Sequence, residues 1–141
     1  MSNASLLHPV FVQVALTFVL MFAMGRARVG AIRRREVKVR DIALGQADPW
    51  PERPKAIARS FHNQFEMPLL FYVLVGLVLA TRSVTTTLVA LAWAYVLLRL
   101  VHAAIHVGSN NINQRFGVFI LSSLVLAAMW VMFGWTIVAL G

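Results

Sequence analysis

The sequence has no cysteine and little charge. The absence of cysteine from all 141 residues excludes disulfide frameworks, thiolate metal centres and cysteine nucleophiles together. Charged residues are 13% of the chain and hydrophobic ones 60%, where an ordinary soluble domain carries about 25% charge. The length allows one domain, and with a mean hydropathy of +0.75 such a chain cannot solvate the surface of a water-soluble core. Its solvent is lipid. Acid is scarcer than base: five Asp and Glu stand against thirteen Lys and Arg, leaving +8. In a soluble chain that surplus would raise the question of nucleic acid; in lipid it reports on orientation. Glycine-rich phosphate loops, Ser–His–Asp arrangements, internal repeats and strand alternation are also missing, and those enzyme classes drop out.

What is present is a set of four apolar stretches. A spanning helix needs about 20 residues to cross roughly 30 Å of hydrocarbon, and the pattern predicts an all-α membrane protein, a bundle of four transmembrane helices over about 6–25, 56–80, 88–108 and 116–140. The purely apolar part of the second, from Met67 to Ala80, is too short to span, so that helix must reach back through Arg59 and Glu66. A basic loop, 26–55, follows the first helix. It holds Arg26, Arg28, Arg33, Arg34, Arg35, Lys38, Arg40, Arg53 and Lys55, nine of the thirteen basic residues. The positive-inside rule places this loop in the cytoplasm and both termini outside.

Polar side chains inside spans cost roughly 2.5–3.5 kcal/mol each on insertion scales and usually face protein or water. At about 100° per residue, Arg59, Asn63 and Glu66 share one stripe of the second helix, and Tyr95, Arg99, His102 and His106 share one of the third. Both polar halves lie in the same leaflet. Matched depths pair Glu66 with Arg99 or His102, and Asn63 with His106, while Pro68 cannot donate to the Gln64 carbonyl and predicts a kink beside Glu66. One reading makes Glu66 and Arg99 an interhelical ion pair with the other groups as glue. A single lock needs fewer polar groups than this, so the set implies a small zwitterionic guest, its carboxylates clamped by arginine and its amine by Glu66. Two further readings stay open: a noncatalytic scaffold that binds lipid or a partner protein through the basic loop, and a metal oxidoreductase built on His102 and His106 at i, i+4. Arg99 on the same stripe opposes a second cation, and no metal site is expected.

These residues resemble a known family, the MAPEG proteins, membrane-associated proteins in eicosanoid and glutathione metabolism. Arg59-Ser-Phe-His-Asn63-Gln-Phe-Glu66, followed by Pro68, resembles the family's pattern in helix two. Arg99-Leu-Val-His102, with a polar ring at His106 and Arg115 sixteen residues after Arg99, resembles the pattern of helix three and its following loop. The likeness is to a bacterial-type member similar to microsomal glutathione transferases, and implies a homotrimer in a bacterial inner membrane. It also implies glutathione as co-substrate, held between subunits in the cytoplasmic leaflet by Arg28, Arg59, Asn63, Glu66, Arg99, His102 and His106. Arg115 takes the catalytic part, favouring the glutathione thiolate for attack on a hydrophobic electrophile or a lipid hydroperoxide. Three positions depart from characterised mammalian members. His106 stands where tyrosine is common, Pro68 lies closer to Glu66, and Phe116 replaces a hydroxyl residue of the prostaglandin-synthase branch.

Overall fold

The computed structural model describes residues 3–45 and 48–140. Gln46 and Ala47 of the expected basic loop lie outside the described residues, as do both terminal ends. The elements are α1 (Asn3–Arg33), a short α2 (Val39–Ala43), α3 (Glu52–His62), a single 3-10 turn (Asn63–Phe65), α4 (Met67–Ala80), α5 (Thr86–Val107) and α6 (Ile112–Leu140), with no strand among the described residues. Four helical stretches are long and apolar enough to cross a membrane: α1, α3 with α4, α5 and α6. Together α3 and α4 make the second span.

Helix ends depart from the expected boundaries for local reasons. The first helix does not stop near residue 25 but runs 31 residues to Arg33, about 46 Å at helical rise. Arginine is a good helix former, so the hydrocarbon ends before the helix does, and Arg26, Arg28 and Arg33 are displayed on a helix instead of a loop. It closes with Arg35 in the left-handed region (φ 57°) and the Glu36 amide donating to the Ala31 carbonyl at 3.0 Å, a Schellman closure. Beyond it the Arg34 guanidinium hydrogen-bonds both Glu36 oxygens at 2.7 and 3.1 Å, which holds that carboxyl below its ordinary pKa. The second span begins at Glu52, just after Pro51 in an extended conformation (ψ 161°). Thr85 caps α5, its hydroxyl accepting from the Leu88 amide at 3.2 Å.

The interior divides in two. Leu6, Phe71, Leu74, Val75, Val78, Leu88, Val89, Ala92, Leu126, Met129 and Phe133 form a closed apolar core toward the α4–α5 turn. The other half holds the buried polar side chains, Gln13, Ser60, Gln64, Arg99, His102, His106 and Ser122, among smaller numbers of buried apolar ones such as Leu20, Ile57 and Ala103. The helix α5 sits most deeply, packed on α1, α3 and α6. Phe11, Phe18, Phe22, Val131, Trp135 and Val138 are exposed on outer faces of α1 and α6, as lipid-facing side chains are.

One hydrogen bond ties α1 to the second span inside this apolar environment. The Gln13 amide donates to Gln64 Oε1 at 2.8 Å, and Gln64 in turn donates to the Ser60 carbonyl at 2.9 Å. Replacing Gln13 by Leu fills the space but leaves Gln64 Oε1 without its donor. The Gln13→Leu variant should lose about 1 kcal/mol of stability, read as a lowered thermal midpoint of helicity in detergent. An unchanged midpoint would show that the bond contributes nothing.

Candidate functional site

The site starts with a break in a helix. Pro68 has no N–H to offer the Gln64 carbonyl, and the backbone leaves the helical region at Glu66 (φ −94°, ψ −105°). The regular α-helix therefore stops at His62 and resumes at Met67. Asn63 lies in the turn between them, half-buried. Its main-chain carbonyl accepts from Arg99 Nη2 at 3.4 Å, its side-chain Oδ1 accepts from the same nitrogen, and its Nδ2 donates to Glu66 Oε2 at 2.9 Å. Asn63 thus bridges the guanidinium on α5 and the carboxylate at the break.

Arg99 is wholly enclosed, with 0% of its surface exposed, and its Nε and Nη1 have no partner. One turn before it Tyr95, equally enclosed, stacks on Phe71 with ring centroids 4.8 Å apart. One and two turns after it come His102 and His106, 3% and 6% exposed. The two rings meet edge to face at 5.7 Å, and His102 also packs on Phe119 at 6.0 Å. His102 Nδ1 and both ring nitrogens of His106 are buried without a hydrogen bond. Unpaired buried polar atoms are unusual in a protein interior.

The opposite wall comes from the start of α6. Asn110 takes the left-handed region (φ 51°) as its amide closes α5 on the Ile105 carbonyl at 2.7 Å. Asn111 Oδ1 accepts from the amides of Asn113 and Gln114 at 3.1 and 3.2 Å, capping α6. The helix therefore begins at Ile112 and not at the apolar residue 116, and Arg115 belongs to its first turn. There its Nη1 donates to Asn110 Oδ1 at 2.7 Å. A cavity of about 240 Å³ lies between Asn63, His102, His106, Arg115, Phe116 and Phe119. Arg115 and the positive end of the α6 dipole make one side of it attractive to an anion.

The model of the MAPEG family matches residues 6–135, nearly the whole chain. The chain belongs to the MAPEG family. Comparison with curated proteins and with solved structures gave no match. MAPEG proteins include glutathione transferases and peroxidases and use glutathione, and with four spanning helices this member is an integral multi-pass membrane protein.

Of the residues singled out in the sequence, Asn63, Arg99, His102, His106 and Arg115 converge in this MAPEG fold. Arg59 and Glu66 are exposed at the rim. The matched-depth pairing of Glu66 with Arg99 is corrected: the ion pairs among the described residues join Arg34 to Glu36 and Lys55 to Asp48 and Glu52, and the partner of Arg99 is Asn63. The break is the reason, since it turns the Asn63 oxygens toward α5 and leaves Glu66 on Asn63. Asn63 and His106 do face one cavity. Arg28 lies elsewhere, its guanidinium 5.0 Å from the Trp50 ring centroid and its Nε buried without a partner. His62 and Glu66 do not join the histidine pair, and no cluster of three metal-ligating side chains occurs among the described residues. The structure adds Asn110, Asn111, Gln13 and the Gln64 side chain to these residues; the paired asparagines before an apolar run are a legible capping signal.

The hold on Arg115 can be separated from the turn that makes it. Asn110→Gly keeps the left-handed turn at no steric cost, while Asn110→Ala strains it by about 1–2 kcal/mol. Both remove the Arg115 contact. The thermal midpoint should fall clearly in the alanine variant and little in the glycine variant; equal losses would contradict the turn geometry.

Proposed function

We propose that this MAPEG protein is a glutathione-dependent transferase or lipid-hydroperoxide peroxidase, working as a homotrimer with its basic loop toward the cytoplasm. The carrying observation is the cavity beside Arg115, lined by His102 and His106 and by the Asn63 side chain that Arg99 holds. At about 240 Å³ it falls below the roughly 300–1,000 Å³ of a complete ligand site, consistent with a site finished by a neighbouring copy. Arg28, remote from the cavity in its own chain, is suited to reach a neighbour's site.

The residues divide the labour by chemistry. Arg59 at the rim and Arg28 from a neighbour take the glutathione carboxylates, since guanidinium matches carboxylate bidentately. Glu66 takes the amine. Asn63, His102 and His106 bond the peptide groups, and Arg99, enclosed, fixes Asn63. Arg115 stabilises the thiolate, a free thiol near pKa 8.5 being mostly protonated at neutral pH. The thiolate then attacks an electrophile dissolved in lipid, which reaches the cavity past Phe116 and Phe119.

The test is glutathione transfer to an aromatic halide, and reduction of a lipid hydroperoxide, by purified protein. Arg115→Ala should lower kcat/KM about 100-fold, the size of losing one charge-stabilising donor. Glu66→Ala should weaken glutathione binding by about tenfold with less effect on kcat. A parent protein that neither binds glutathione nor forms its thiolate would end this reading.

A further inference from the structure

Arg26, Arg33, Arg34 and Arg53 take no part in the cavity beside Arg115. They line two hollows at the basic end of α1. One, of about 580 Å³, opens between α1, α3 and α5, where Arg26, Arg34 and Arg53 stand around walls that include Pro54, Ile57 and Val107. The other, of about 520 Å³, runs along α1 past Met21, Phe22 and Gly25, with Arg26 and Arg33 beside it. Gly25 has open space where a side chain would stand. Arg26 borders both hollows. At about 100° per residue, Arg26 and Arg33 share one side of α1 with Phe22 and Phe18, whose rings are exposed. That side passes from apolar to cationic within about 6 Å at helical rise. Arg28 lies about 200° round from Arg26 and meets Trp50 on another face. The charge is one-sided as well. Among the described residues Glu36 is the one carboxylate bordering these hollows, and both its oxygens are taken by Arg34 at 2.7 and 3.1 Å. Arg26, Arg33 and Arg53 enter no ion pair among the described residues.

We propose that the two hollows form one seat for an anionic phospholipid, its headgroup held at Arg26, with Arg33 and Arg53 in the adjoining hollows, and an acyl chain laid along Phe22 and Phe18. Guanidinium matches phosphate oxygens bidentately, and basic pockets between spanning helices bind such headgroups. A zwitterionic head brings an ammonium that finds no free carboxylate here, so the seat selects by net charge. An acidic soluble partner would engage the arginines but not the phenylalanines, which begin one turn deeper toward the hydrocarbon. The lipid matches both in their order along the helix. The seat shares no residue with the glutathione reading above and stands independently of it.

Lipid retention tests the seat. Delipidated full-length protein in nonionic detergent, at physiological ionic strength, is titrated with phosphatidylglycerol or phosphatidylcholine, and bound lipid is counted by native mass spectrometry. The parent should hold phosphatidylglycerol saturably and at least about tenfold more tightly than phosphatidylcholine. Arg26→Gln combined with Arg53→Gln should weaken phosphatidylglycerol by at least about tenfold, the loss of one or more bonds to a charged group, and leave phosphatidylcholine unchanged. Lys38→Gln combined with Arg40→Gln removes the same charge outside the hollows. It should cost less than about threefold, since at that ionic strength charge acts over only about 8 Å. Retained helicity establishes folding, and if the first double variant loses it, Arg33→Gln alone decides, with an expected loss of about tenfold. Equal losses in the two double variants, an unchanged Arg33→Gln, or a parent that holds both lipids alike overturns the seat in favour of a diffuse attraction. Excess inorganic phosphate should leave the lipid bound; displacement would make this a free-phosphate site and overturn the lipid assignment.

Discussion

A permanent charge in the middle of a spanning helix needs a partner from protein, and Arg99 finds it in Asn63. The guanidinium has 0% exposure and cannot discard its proton to suit an apolar setting. Two oxygens on the neighbouring span, the carbonyl and the side chain of Asn63, receive one of its nitrogens. A continuous second helix would engage the Asn63 carbonyl with the amide four residues on. At the break the carbonyl accepts instead from the Glu66 amide at 3.4 Å and from Arg99 at the same distance, so the arginine and the interruption share one acceptor. Pro68, lacking the N–H that would rebuild the helix, keeps the interruption in place.

From that constraint the rest of the polar half follows. Asn63, held by Arg99, bonds Glu66 and faces the histidines across the cavity. Gln64, next in the same turn, is fixed from the other side by Gln13 on α1, so the non-helical segment is tied to two neighbouring helices. The wall opposite depends on consecutive asparagines doing different jobs: Asn110 closes α5 and holds Arg115, while Asn111 starts α6. The apolar half, from Leu6 to Phe133, is packed shut and provides the rigid end against which the polar end is built. The bundle thus has a packed apolar end and a polar end that holds the proposed site.

Much of this is legible in the sequence. Hydrophobic runs of spanning length give four helices, and the stripes of Arg59, Asn63 and Glu66 and of Arg99, His102 and His106 point to one another because both fall in the same leaflet. The helix ends were less legible. Arginines continue α1 beyond the hydrocarbon, and a polar asparagine cap starts α6 before its apolar run, so an apolar boundary is not a helix boundary. The choice of partner for Arg99 was also hidden. Depth along an ideal helix favours Glu66 by charge; only the local dihedrals at Glu66 decide that Asn63 turns inward. Gln13 was unremarkable in sequence, since a lone glutamine among apolar residues gives no hint of which helix it meets.

The dependence of the fold on Arg99 and Asn63 is measured most directly by a double-mutant cycle. Arg99→Met, Asn63→Ala and the combined variant are compared with the parent by reversible unfolding in mixed detergent. Bonds to a buried charge give a coupling of about 2 kcal/mol, so the combined variant should lose markedly less than the two single losses added together. Losses that add within about 0.5 kcal/mol would mean that Arg99 and Asn63 stabilise the bundle independently, and would contradict the clamp on which this account of the site is built.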